Sequence, residues 1–106
     1  MRLSKRIANR NPVVKKANDV RESKIENTVT DFAKKNGWIV RKLAWIGRRN
    51  APDRFFAKGG VIILVEFKKP GGDATEKQSK EHETLRAAGV HVVVINSIEV
   101  GREIFH

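Results

Sequence analysis

The strongest constraint on the fold is the pair Gly59-Gly60, set between two strand-like runs, Pro52 to Lys58 and Val61 to Lys68. Adjacent glycines take the positive backbone angles of a two-residue hairpin turn, whose twist suits the strands it joins. If the turn is that tight, Lys58 faces Val61, and counting back pairs Ala57 with Ile62, Phe55 with Leu64 and Asp53 with Glu66. Residues opposite in register share a face of the sheet. Two carboxylates therefore stand side by side, with Cβ atoms roughly 4.5–5.5 Å apart, where like charges repel. A hard divalent cation such as magnesium compensates such a pair and keeps several waters for other uses. Lys68 falls on the same face, two residues and roughly 7 Å beyond Glu66. Phosphodiester hydrolysis requires a water nucleophile, neutralisation of phosphate charge and protonation of the leaving oxygen. An ion held by Asp53 and Glu66, with the Lys68 ammonium beside it, meets the first two needs. The bland alternative is a surface salt bridge between Lys68 and one carboxylate at a strand end.

The remaining elements follow from periodicity and punctuation. Between Val20 and Asn36, Ile25, Val29, Phe32 and Ala33 mark one face of an amphipathic helix that Gly37 ends. Trp38 to Ala44 reads as a strand, and Trp45 to Ala51 as a loop. After Pro70-Gly71-Gly72, Asp73 or Thr75 caps a helix that runs to about Ala88, with Glu76 or Gln78 completing a capping box. Gly89 stops it. Val90 to Ile95 is nearly all β-branched and reads as a buried strand, and Ile98 to Phe105 as a short last helix. The order helix, three antiparallel strands, helix, strand implies an α/β fold with one mixed sheet flanked by helices. A helix between the third and fourth strands permits a parallel crossover.

With 106 residues there is room for one compact domain, over 20–106, preceded by a basic arm over 1–19. Its charges either touch a phosphate backbone or are merely solvated. Lysine and arginine number 22 against 12 acidic residues, a formal charge of +10. Such a surplus points to a polyanionic partner, and nucleic acid fits best because neutralised phosphates release condensed counterions. A membrane surface is disfavoured, for no basic amphipathic helix with a broad apolar face and no spanning apolar run is found. Cysteine is absent, which removes thiol nucleophiles and disulfides. Nothing at the amino terminus reads as a secretory signal, so a cytoplasmic location is the expectation.

Glu26 in the first helix, Pro52-Asp53, Glu66-Phe67-Lys68, the following Lys69-Pro70-Gly71-Gly72 and Gln78 form an ordered set. It resembles the VRR-NUC family of the PD-(D/E)XK nuclease superfamily, over roughly Glu22 to Ser97. The resemblance implies a restriction-endonuclease-like sheet and a phosphodiesterase dependent on Mg2+ or Mn2+ that acts on DNA. It also implies a homodimer selective for branched substrates such as Holliday junctions. In that reading Asp53, Glu66 and the Phe67 backbone carbonyl hold the metal, and Glu26 completes the site through water. Lys68 and Gln78 join them as catalytic residues. Two positions depart from the pattern: Ala51 stands where glycine commonly precedes the Pro-Asp pair, and His82 where an aromatic is frequent.

Physical readings of the supporting residues stand beside this. At 100° per residue Glu26 lies about 20° from Ala33, on the flank of the buried stripe, either toward the sheet edge or as a surface glutamate. Gln78, His82 and Leu85 share a helical face, so Gln78 either reaches the site or pairs with Thr75 as a cap. Arg48, Arg49, Arg54 and Lys69 form an expected basic rim for DNA phosphates. Trp45 either stacks on a base or packs at a dimer interface. His91 and His106 lack metal-ligand spacing. The competing function is a non-catalytic basic nucleic-acid-binding module.

Overall fold

A computed structural model describes residues 21–106; the expected arm over 1–19 lies outside them. The elements are α1 (Glu22–Lys35), β1 (Ile39–Lys42), β2 (Arg54–Lys58), β3 (Val61–Phe67), α2 (Glu76–Ala87), β4 (His91–Ile95) and α3 (Ile98–Phe105). They build one four-stranded sheet in the order β1-β2-β3-β4, antiparallel between the first three strands and parallel between β3 and β4. This is the expected mixed α/β architecture.

The hairpin turns as its glycines demand, with φ of +57° at Gly59 and +84° at Gly60. Its register is Lys58 against Val61, Phe55 against Leu64 and Arg54 against Val65. Alternation then sorts the side chains. Phe56, Val65, Phe67 and Ile95 point to one face and are fully buried beneath Ile25, Val29 and Ala33 of α1 and Phe105 of α3. Phe56 and Phe105 stack with ring centroids 4.2 Å apart, and Trp38 meets Phe105 edge-on. Burying such side chains is worth roughly 1.5–3 kcal/mol each. Gly101 lets α3 approach α1 closely, since a Cβ there would run into the methyl groups of Val29.

The other face carries Leu64, Glu66 and Val92, and α2 crosses it. Thr75 rather than Asp73 caps that helix, in a complete capping box with Gln78. Arg86 near its end donates to the Val92 carbonyl at 2.9 Å, tying it to β4. The first strand is shorter than the expected Trp38–Ala44 span, because its register with β2 runs out at Lys42 against Arg54. Among the described residues no helix is long and apolar enough to cross a membrane.

Candidate active site

The register that places Arg54 against Val65 leaves Asp53 and Glu66 as the next opposed pair. Asp53 lies just before β2, and its Oδ2 accepts the Phe67 N–H at 2.7 Å. The backbone of β3 thus holds this carboxylate across the sheet end, beside the carboxylate of Glu66. Pro52, buried beside it, offers no N–H, whereas the Asp53 N–H continues the ladder to the Val65 carbonyl at 2.9 Å. The loop entering this segment turns through Asn50 at φ +68°, so Ala51 needs no left-handed backbone and glycine is not required there.

Glu66 is only 2% exposed. Its Oε2 accepts from Gln78 Nε2 at 3.3 Å and lies 3.8 Å from Lys68 Nζ. Its Oε1 has no hydrogen-bond partner, nor does His82 Nε2, 3.9 Å away and equally buried. Burial, and then the negative charge of Asp53, push the Glu66 carboxyl up to about 7. Asp53 is also raised, chiefly by burial, against the opposing effect of the Phe67 N–H. His82 is lowered, again by burial first, so the neutral imidazole is favoured beside these acids. Two opposed carboxylates, one with a buried oxygen left without a partner, are a costly arrangement without positive charge. Lys68, with a side chain 17% exposed, supplies part of it. A hard divalent cation fits the remaining demand. Among the described residues no three His, Asp, Glu or Cys side chains gather into a ligand cluster. An ion here would therefore draw on water and substrate oxygens as well, as magnesium commonly does.

Gln78 serves both roles that its position allowed. Its Oε1 accepts the Thr75 N–H at 2.9 Å, closing the capping box, while its Nε2 reaches Glu66. Glu26 is held by Arg54, whose Nε lies 2.7 Å from Glu26 Oε2 with its side chain 15% exposed. Arg54, expected on the phosphate-facing rim, is thus turned toward α1 and paired there. The charge of Glu26 still reaches Asp53, raising its pKa. Glu22, one helical turn earlier, similarly raises Glu66, a contribution that the sequence reading missed. Its signal was the i, i+4 spacing of Glu22 and Glu26 on one helix face.

Arg48, Arg49 and Lys69 are exposed, and Arg48 is paired with Glu81 Oε1 at 2.9 Å. Trp45 neither stacks freely nor lies bare, because its Nε1 donates to Glu81 Oε2 on α2 at 2.8 Å. The Lys69-to-Gly72 loop closes on itself through a Gly72 N–H to Lys69 carbonyl bond of 2.8 Å, and Asn96 Nδ2 donates to the Gly72 carbonyl at 2.9 Å. That pins the basic segment beside Lys68.

The chain is 42% identical over 79 residues to a protein named "Putative nuclease p44" from Acyrthosiphon pisum secondary endosymbiont phage 1, an alignment covering 74% of this chain and 85% of that protein. Among solved structures, one described as a VRR_NUC domain superposes with a TM-score of 0.72 at 30% identity, over 78% of this chain and 91% of that one. No family model matches.

Proposed function

As a member of the VRR-NUC family of nucleases, to which this chain belongs, we propose that it is a metal-dependent DNA endonuclease, selective for branched DNA such as Holliday junctions and active as a homodimer. The observation that carries the catalytic reading is the buried, partly unpartnered Glu66 opposite Asp53, with Lys68 on the same face.

Asp53, Glu66 and the Phe67 carbonyl oxygen would hold Mg2+ or Mn2+, with Glu26 reached through water. When bound, such an ion supplies Lewis-acid polarisation of the phosphate and lowers the pKa of a water molecule. The chain's own residues orient the carboxylates and balance charge around them. Gln78 turns the Glu66 carboxylate by donating to Oε2, and the Phe67 N–H fixes Asp53. Lys68 orients the attacking water and offsets negative charge that develops on the phosphate oxygens. Arg54 steadies Glu26, and the exposed Arg48, Arg49 and Lys69 engage flanking phosphates without reading sequence.

Support for a dimer comes from the end of the sheet remote from the site. Ile39, Ala57 and Ile62 stand in one register row, with Ile39 52% and Ile62 48% exposed. An apolar row of this kind favours a second apolar surface over water. Two copies would present two sites to the two strands of a junction.

The test is cleavage of linear, flap and four-way substrates in Mg2+, Mn2+ or chelator. The wild type is expected to cut the junction in a metal-dependent way, and Asp53→Asn, Glu66→Gln and Lys68→Ala each to abolish cutting while leaving the fold and most DNA binding intact. A junction retained but never cut in either metal would overturn the enzyme reading.

A further inference from the structure

The loop of residues 43–53 and the flank of α2 enclose a cleft of about 350 Å3, lined by Arg48, Arg49, Lys77, Lys80 and Thr84 around Glu81. Four cations surround one carboxylate. That carboxylate is 7% exposed and both of its oxygens are engaged, Oε2 by Trp45 Nε1 at 2.8 Å and Oε1 by Arg48 Nη2 at 2.9 Å. Among the described residues these are the only side-chain hydrogen bonds joining the loop to α2. They cross 36 and 33 positions of sequence, so they define how the loop sits against the helix.

The cleft adjoins the acidic pair through α2 itself. Lys77 and Glu81 lie a quarter-turn around the helix from Gln78 and His82, the two residues that face Glu66. A basic face so placed is available to the backbone of a strand whose scissile phosphate lies at Asp53 and Glu66. Flexible lysines and arginines at an open cleft suit phosphate oxygens, and Thr84 gives no further charge.

We infer that this cleft is a phosphate-binding subsite for the DNA backbone flanking the cleaved bond, and that Glu81 is a positioning residue holding Trp45 and Arg48 so that the loop forms the cleft wall. The inference rests on the nuclease reading above for its ligand. It assigns Lys77 and Lys80 to DNA, and it gives an acidic residue a role in binding a polyanion.

The experiment measures binding of labelled linear duplex and four-way DNA in chelator across a salt series, so that no cutting is needed for a readout. Lys77→Ala with Lys80→Ala is compared with Lys34→Ala with Lys35→Ala, which removes the same two charges from the last turn of α1. The cleft pair is expected to weaken binding about tenfold at about 0.1 M salt and to flatten the log–log salt dependence by about 1 to 2. The α1 pair should shift affinity less than about threefold. Equal losses from both pairs would show a general field effect and overturn the subsite.

For Glu81, simple Coulombic reasoning expects Glu81→Ala to tighten binding by deleting a negative charge. The positioning role expects weakening of several-fold, and the same direction from Trp45→Phe, which keeps an aromatic ring and the net charge but loses the donor. Tighter binding by folded Glu81→Ala, or wild-type affinity in Trp45→Phe, overturns it. If Glu81→Ala does not fold, Trp45→Phe decides alone. The binding pattern can hold where the cleavage panel fails, and the reverse, so the two readings fall separately.

Discussion

Gln78 links the first turn of α2 to the buried acid Glu66, accepting from the Thr75 N–H at 2.9 Å and donating to Glu66 Oε2 at 3.3 Å. One amide therefore couples the start of a helix to the orientation of a carboxylate twelve positions earlier in the chain. The two tasks use different atoms and separate by mutation. Gln78→Glu keeps an acceptor for Thr75, loses the donor to Glu66 and adds a third negative charge. It is expected to melt close to wild type yet cut DNA at least tenfold more slowly. Gln78→Ala should lose roughly 0.5–1 kcal/mol of stability as well, through the cap. Thermal melts beside single-turnover cleavage distinguish these outcomes, and a fully active Gln78→Glu would remove the orienting role.

The raised pKa of Glu66 has a consequence for the metal-free protein. In the unfolded chain this carboxyl titrates near 4.5, and in the folded chain near 7. The folded state thus binds the proton more tightly, so the stability this confers is complete below pH 4.5 and is lost as pH rises toward 7. Asp53 shifts the same way and titrates jointly with it. Glu66→Gln is expected to match wild type at low pH and to exceed it by roughly 3 kcal/mol above neutrality, in chelator. Denaturant unfolding at about pH 5 and about pH 8 measures this. Parallel stability curves for the two proteins would contradict the assigned electrostatics. Divalent ions should narrow the gap by stabilising wild type alone.

At the back of the sheet, Gly101→Ala sets helix propensity against packing. Alanine favours a helix by roughly 1 kcal/mol over glycine. The new methyl would collide with the branched side chain of Val29, which is itself fully buried. Overpacking of this kind costs roughly 1–3 kcal/mol, so net destabilisation is expected. A higher melting temperature would mean that α1 and α3 separate more easily than their shared core implies.

The exposed row of Ile39, Ala57 and Ile62 yields a test of assembly. Ile62→Lys places a charge on that row without touching the buried layer and is expected to shift the protein toward monomer, with an unchanged far-ultraviolet spectrum. Sedimentation equilibrium reads the change. A wild type that is already monomeric at tens of micromolar would sink the dimer, whatever the variant does.

The features legible in the chain were those governed by short-range rules. Gly59-Gly60 specified a two-residue turn, and a turn of known length with a period of two dictates which residues oppose one another for the whole hairpin. The sequence pattern alone therefore places Asp53, Glu66 and Lys68 on one face. The last helix, Ile98–Phe105, and the capping box at Thr75 and Gln78 were local in the same way.

What needed the tertiary structure was every relationship created by an element crossing another. The partnership of Glu26 with Arg54 depends on how α1 lies over β2, and it turned an expected DNA contact into an internal ion pair. Whether Gln78 would cap or reach the site depended on the height of α2 above the sheet, and at this height its two ends do both. The meeting of Trp45 and Arg48 at Glu81 brings a loop to a helix more than thirty residues away. No periodicity encodes such pairings, because they follow from the packing of side chains between layers, where a shift of an ångström or two exchanges one partner for another. The local code thus determined which chemical groups share a face, and the packing of α1 and α2 decided which of them are free to act.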